Sequence, residues 1–332
     1  MTDPETLYAD LAGLGLIRAG ERPHAVPLTG GVSSDIWKVD LPEGPICVKR
    51  ALAKLKVAQD WRAPVGRSRY EIRWFRTVAR FLPEAVPAIV ASDEDAGVFA
   101  MSYLDPACHP LWKRQLLDGR VEVGTAEEVG RRLAAIHATT AQDKSIPGHF
   151  PTDAIFHDIR LAPYLETAAT RHPDRAEALR RIVQTTAATR RALVHGDVSP
   201  KNMLVGPKGP IFLDAECAWF GDPAFDLGFC LNHLLLKCLV RRDAVTRLLA
   251  SYEAMSRRYL AGIDWEPAAD LEARAATLLP GLLLARVDGK SPVEYLTDEA
   301  SRNVVRRTAR HLLDQPVARL ALVADRWKEG LP

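Results

Sequence analysis

Cysteine is scarce in this 332-residue chain. Cys47, Cys108, Cys217, Cys230 and Cys238 show neither the paired spacing of a zinc site nor the density of a disulfide scaffold, so they read as reduced core thiols. Long apolar runs are also missing. Residues 278–285 are apolar, but Pro280 and Gly281 interrupt them and they fall far short of the roughly twenty residues that cross a bilayer. The opening Met1-Thr2-Asp3-Pro4-Glu5 is acidic rather than basic and no secretory apolar region follows, so a cytoplasmic protein is expected. Nor does one sign of charge dominate: 44 Lys and Arg against 42 Asp and Glu leave a formal net charge of +2, with the two signs interspersed. Arg190-Arg191, Arg241-Arg242 and Arg306-Arg307 read as solvated ends of elements, and no basic patch with interleaved aromatics suggests nucleic acid. Internal repeats and low-complexity segments are absent, and the length suits roughly two units of 100–200 residues.

What the chain does have is His195-Gly196-Asp197-Val198-Ser199-Pro200-Lys201-Asn202, followed by Ile211-Phe212-Leu213-Asp214. Apolar Ala192, Leu193 and Val194 predict a short buried strand, after which Gly196 and Pro200 force an irregular loop. Asp197 opens that loop, and Asn202 closes it where the chain re-enters apolar Met203, Leu204 and Val205. Residues 206–210, Gly-Pro-Lys-Gly-Pro, predict a five-residue turn, and the returning strand 211–213 delivers Asp214 beside Asn202. Two hard oxygen donors then converge, as magnesium with its substrate phosphates prefers, and Asp197 is left as a base for an attacking hydroxyl. Glu216 is either a third metal contact or a loop-bracing carboxylate. His195 reads as a buried brace for the loop. Taken singly, His-Gly-Asp is an ordinary turn and Asp214 a strand-end cap; it is their order and spacing that point to phosphoryl transfer.

Matching parts lie upstream. Gly30, Gly31 and Ser33 sit in a turn between strands whose amides are placed to cover phosphates, although a Gly-Gly turn is also a plain hairpin. Ile46-Cys47-Val48-Lys49 is a short strand carrying a lysine, the candidate for the nucleotide phosphates. Glu71 lies on a helix expected from near Ser68, on one face with Phe75, Val78 and Leu82; it orients Lys49 or closes a Ser68–Glu71 capping box. Residues 97–101 read as a buried strand running into Ser102, Tyr103 and Leu104, so Met101, Ser102 and Leu104 are the candidate adenine-contacting connection between lobes.

These motifs resemble the aminoglycoside phosphotransferase and choline kinase superfamily over roughly residues 25–300. The resemblance implies an α+β, two-lobed, protein-kinase-like fold, with a small strand-rich N-terminal lobe (1–104) and a larger mainly helical C-terminal lobe (105–332). It also implies ATP and Mg2+ as cofactors, with Asp197 as base, Asn202, Asp214 and Glu216 at the metal, and Lys49 on the phosphates. Residues 48–52, 54–57, 60–64 and 67–71, with 215–221 downstream, are similar to the methylthioribose kinases. Two features depart from them: the chain is shorter, and Ser199-Pro200-Lys201-Asn202 replaces their His-Thr-Gly-Ser. The expected partner is a small molecule with a hydroxyl, a methylthioribose-like sugar first, then aminoglycosides, choline or ethanolamine. A catalytically silent nucleotide-binding module is the competing class. A protein kinase is disfavoured because no Asp-Phe-Gly follows the loop.

Beyond Pro106 the pattern turns helical. Thr125–Glu128 resembles a capping box, Val129, Leu133, Ile136 and Thr140 continue one face, and His137 reads as a packed core histidine. Residues 227–236 are apolar nearly all round and predict a buried central helix opened by Asp226; Asp226 resembles the family aspartate that braces the catalytic loop, and capping the helix is compatible with that role. Trp219 and Arg286 are candidate substrate contacts; their alternatives are lobe packing and a salt bridge.

Overall fold

The computed structural model describes residues 3–28, 34–52 and 66–332. Gly30, Gly31 and Ser33, and residues 54–57 and 60–64, lie outside the described residues.

Period-two alternation of apolar residues makes the N-terminal strands two-faced. Strands β1 (Ala25–Pro27), β2 (Ser34–Leu41), β3 (Gly44–Ala51), β4 (Ile89–Asp93) and β5 (Val98–Ser102) form one antiparallel sheet in the order β1-β2-β3-β5-β4. Trp37, Val39, Ile46, Val48, Val98 and Ala100 pack on Leu7 and Leu11 of a helix the sequence reading did not include, α1 (Pro4–Gly13). Burying those two leucines contributes about 1.5–3 kcal/mol each, and Asp10 holds Arg50 of β3 to fix the helix in place. Cys47, Phe99 and Met101 face the other way, onto Ile72, Phe75 and Val78 of α2 (Arg67–Ala79). Lys49, in register between Ile36 and Phe99, is thereby carried on a strand covered on both faces.

The remainder is mainly helical. A short α3 (Trp112–Leu117) leads into α4 (Val123–Gln142), then two single turns, α5 (Ile146–His149) and α6 (Asp153–Phe156). Next comes a π-helix (His157–Glu166) with Pro163 inside it, running into α7 (Thr167–Arg171) and α8 (Ala176–Ala188). After the loop region follow α9 (Ala224–Val240), α10 (Val245–Leu260), α11 (Ala268–Asp288), α12 (Glu299–Asp314) and α13 (Leu320–Gly330). As its composition predicts, α9 is buried almost all round. Gly130 lets α4 approach α10 closely, since a Cβ there would lie 2.5 Å from the Met255 carbonyl oxygen. The two-lobed, protein-kinase-like α+β expectation describes this architecture. Among the described residues no helix is long and apolar enough to cross a membrane.

Three local expectations are corrected. The helix bearing Thr125 begins at Val123 with no side-chain cap, and Glu128 binds Arg131 and Arg132 instead. Asp226 lies in the first turn of α9 rather than at its cap. The hairpin of β7 (Met203–Gly206) and β8 (Gly209–Phe212) turns on two residues, Pro207 and Lys208, made possible by Gly209 at φ +106°.

Candidate active site

Strand β6 (Ala192–Val194) pairs with β9 (Trp219–Gly221) and carries the chain into the His195–Asn202 loop. Gly196 follows at φ +80°, where a Cβ would meet the Cys217 carbonyl oxygen at 2.6 Å, so only glycine fits. Asp226 straps the turn, accepting the His195 amide at 2.7 Å and the Gly196 amide at 2.8 Å. His137 lies 3.3 Å from the same carboxylate and binds the Tyr259 hydroxyl at 2.7 Å, so it does more than fill the core. His195 packs edge-on to Trp74, contacts the Leu213 carbonyl at 3.0 Å through Nε2, and accepts the Asp197 amide at Nδ1. Burial holds its pKa below the ordinary value, so it is a neutral brace at pH 7.

Asp197 is buried, and its Oδ2 meets Arg160 Nη2 at 2.8 Å and Lys201 Nζ at 3.2 Å. Burial alone would raise its pKa; Arg160 and then Lys201 overcome that and hold the carboxyl below its usual range. Its other oxygen, Oδ1, is buried with no hydrogen-bond donor among the described residues. Arg160 comes from the π-helix, where its guanidinium also donates to the Gly196 and Ile159 carbonyls and lies beside the Tyr164 and Phe229 rings. Neither Arg160 nor the role of Lys201 was anticipated. The available signal was Pro163 inside an otherwise helical run, which marks a distorted helix of the kind frequent at functional sites.

Asn202 donates to the Asp197 carbonyl at 3.2 Å, and its own carbonyl accepts the Leu213 amide at 2.9 Å, which holds Asp214 alongside. Asp214 is the one non-glycine described residue at positive φ, +65°, a conformation costing about 1–3 kcal/mol that persists where surroundings impose it. Its Oδ1 takes Lys49 Nζ at 2.5 Å, and Lys49 also meets Glu71 at 2.8 Å. Burial would lower the Lys49 pKa, but Asp214 and Glu71 raise it overall, so the ammonium stays charged. Burial outweighs Lys49 at Glu71 and lifts that carboxyl to about 7. Of the two roles weighed for Glu71, the geometry has the ion pair: α2 starts after Gly66 with no side-chain cap.

Glu216 Oε2 is held by Arg67 Nε at 2.8 Å, an ion pair between α2 and the loop after Asp214. Among the described residues no group of three His, Cys, Asp or Glu side chains is arranged around a metal position. Asn202 and Asp214 nevertheless offer the hard-oxygen pair that suits Mg2+ completed by phosphates and water, since Lys49 engages only one Asp214 oxygen. Met101 is buried in β5, and the amide and hydroxyl of Ser102 are both committed to Ala88. Ser102 and Leu104 line a cavity of about 810 Å³ with Val86, His109 and Ile211, which none of Lys49, Asp197 or Asp214 reaches. Trp219 does not join the site. It stacks on Phe156 with ring centroids 4.2 Å apart and donates to Asp153, because burying both indole faces outweighs leaving them at a pocket wall. Arg286 does approach: it is buried and donates to the Tyr164 hydroxyl at 3.3 Å, on the ring Arg160 also faces.

A sequence profile of the phosphotransferase enzyme family matches residues 24–271. The chain belongs to that family. A methylthioribose kinase of Bacillus cereus is 24% identical over 234 residues, covering 63% of this chain and 59% of that protein. One of Bacillus anthracis is 23% identical over 239 residues with the same coverage. The chain therefore spans 59% of the length of these curated relatives. Among solved structures, an ethanolamine kinase of Plasmodium vivax aligns at TM-score 0.59 and 10% identity, covering 94% of this chain and 90% of that one. A choline kinase of Cryptosporidium parvum aligns at TM-score 0.57 and 13% identity, covering 98% and 100%. At such identities these two likenesses show the family's fold alone.

Proposed function

We propose that the protein is an ATP- and Mg2+-dependent kinase that phosphorylates a hydroxyl of a small molecule, acting in the cytoplasm where ATP is supplied, with its two lobes meeting near Leu104. The observation that carries this reading is Asp197: a buried carboxylate with one oxygen fixed by Arg160 and Lys201 and the other buried without a donor. A buried acceptor atom is ordinarily satisfied, and an incoming hydroxyl is the donor that fits. On this reading Asp197 orients the hydroxyl and takes its proton as the oxygen attacks the γ-phosphorus and ADP leaves. Lys49 and Lys201 neutralise phosphate charge, Glu71 keeps Lys49 in place, and Met101 to Leu104 border the adenine. Asn202 and Asp214 would hold Mg2+, which supplies charge neutralisation on the phosphates; Glu216 serves through Arg67. The curated relatives' names support a methylthioribose-like sugar as acceptor and those of the two solved kinases support choline or ethanolamine; aminoglycosides are a further candidate.

The test is ADP release from purified protein, ATP and Mg2+ over a panel of methylthioribose, simple sugars, amino alcohols, aminoglycosides and hydroxy acids, with Asp197→Ala as the blank. Acceptor-dependent ADP release by the wild type alone is expected. Nucleotide binding with no release for any acceptor would favour the silent module.

A further inference from the structure

Several arginines in this chain grip a carboxylate with the Nε–Nη2 edge. Arg131 meets Glu128 through Nε at 2.7 Å and Nη2 at 2.6 Å, and Arg306 meets Asp288 through Nε at 2.8 Å and Nη2 at 2.7 Å. Arg241 uses the same two nitrogens on Asp243. This parallel pair of N–H groups matches the two oxygens of a carboxylate.

Arg286 presents that edge to no acid among the described residues. It is 6% exposed, and all its hydrogen bonds run from Nη1, to the Tyr164 hydroxyl and to the Ser291 carbonyl and hydroxyl. Its Nε is buried without a partner, and among the described residues no acid pairs with the guanidinium. Glu294, an acid whose field reaches it, is bound by Lys113. A buried guanidinium with only neutral partners is costly, because it cannot shed its proton and its hydration is gone. Lys237 lies with its ammonium 4.5 Å over the Tyr295 ring, and His233, which that ring's hydroxyl also contacts, has Nε2 buried and unpartnered. Burial, then Arg286 and Lys237, keep His233 neutral.

Arg286 also flanks an aromatic ring that the arginine holding Asp197 flanks. The Arg160 and Arg286 guanidinium carbons are 5.8 and 5.5 Å from the same Tyr164 ring centroid, and Arg160 holds Asp197. The charges of Asp197, Lys201, Arg286 and Lys237 all act on His233. We propose that the Nε–Nη2 edge of Arg286 receives a carboxylate of the phosphoryl acceptor, making the substrate a hydroxy acid in place of the neutral sugars and cationic amines that the relatives' names suggest. The inference rests on the kinase reading for the hydroxyl half of that substrate, whereas the anion site stands on Arg286 alone.

The experiment is calorimetric titration of the full chain, with Mg2+ and a non-hydrolysable ATP analogue, using matched probes: glycerate against glycerol, 4-hydroxybutyrate against 1,4-butanediol, gluconate against glucitol. At least one acid should bind about 10–100-fold more tightly than its neutral counterpart, as for hydrogen bonds between charged groups. Arg286→Met should erase that difference and Arg286→Lys should restore only part of it, because an ammonium lacks the fork. Acids binding no better than their neutral partners in the wild type would overturn the proposal, and this comparison stands even if a variant misfolds. An acid preference retained in a folded Arg286→Met protein would overturn it too. ADP release on the same pairs separates the two readings. Acid binding that depends on Arg286 without turnover keeps the anion site and sinks the kinase; turnover of neutral or cationic acceptors with acids ignored does the reverse.

Discussion

Replacing Arg160 with Met tests the electrostatics of the site at one atom pair. Arg160 and Asp197 side chains are 8% and 4% exposed and meet at 2.8 Å, so they form a buried pair. Removing one partner of such a pair typically costs about 3–5 kcal/mol, because the other charge stays buried and uncompensated. Lys201 remains at 3.2 Å, but its side chain is 41% exposed and screened, so it returns no more than about 1 kcal/mol. About 2–4 kcal/mol is left to appear as lost stability at pH 7 and, at 1.36 kcal/mol per pH unit, as a rise of about 1.5 to 3 pH units in the Asp197 pKa. The sign follows from the wild-type direction. Asp197 titrates below its unfolded value in the folded protein, so the pair stabilises at all pH above that unfolded value and is lost only as pH falls through the folded one. In Arg160→Met that loss moves upward, and with it the acid limb of kcat/KM. The assays are urea unfolding at pH 7 and a pH–rate profile from pH 4.5 to 8.5. Superimposable acid limbs together with unchanged unfolding midpoints would refute the assignment of Arg160 as the group that sets Asp197.

Asp197→Asn keeps the shape but removes the proposed base, so turnover should fall by about 10²–10⁴-fold while nucleotide affinity stays near wild type; loss of both in a titration with labelled ATP would place Asp197 at the nucleotide instead. Asp214→Asn should weaken ATP binding in the presence of Mg2+ far more than in its absence, and equal weakening in the two titrations would count against a metal role. Gly196→Ala forces a Cβ to 2.6 Å from the Cys217 carbonyl oxygen at positive φ, so unfolding free energy should drop by at least about 1–2 kcal/mol and turnover with it. His195 titrates below its ordinary value because it is buried, so the unfolded chain binds more protons near pH 6 and stability falls as pH drops. His195→Gln should flatten that dependence between pH 5 and 7, measured by thermal melts, and an unchanged slope would assign it to other groups.

Legibility in the sequence followed the range of the interactions. Lys49, Asp197, Asn202 and Asp214 could be read because each stands at a fixed offset from an apolar strand that local pattern reveals, and the pairing of β7 with β8 is itself local. Arg160 stands 37 residues before Asp197 with no shared motif; its position depends on a π-helix whose register no periodic pattern encodes. α1 was missed for a similar reason: only Leu7 and Leu11 mark its buried face, and what they bury against is a sheet 30 to 90 residues further on. Trp219 misled because proximity in sequence to Asp214 says nothing about side-chain direction. In β9 it points toward Phe156 and Arg190, and that is decided by pairing with Val194.

The longest-range pairs have a physical logic of their own. Lys49–Asp214 and Arg67–Glu216 join residues 165 and 149 positions apart, and both run from the strand-rich lobe to the loop after β8. Each is buried on at least one side, so neither charge can be left alone without a penalty of several kcal/mol. On the proposed reading, nucleotide phosphates arriving at Lys49 compete with Asp214 for the same ammonium, and the divalent cation compensates the carboxylate as the lysine turns to phosphate. On the same reading Arg67–Glu216 stays paired and keeps the lobes in register while the first pair is exchanged. That division explains why two acids two residues apart, Asp214 and Glu216, have separate cationic partners rather than sharing one. It also makes the two pairs separable: Arg67→Met should loosen lobe alignment and raise KM for ATP without changing its metal dependence, whereas Lys49→Met should change both. Nucleotide titrations at graded Mg2+ concentration distinguish the two, and identical responses of the variants would show that the pairs act as one.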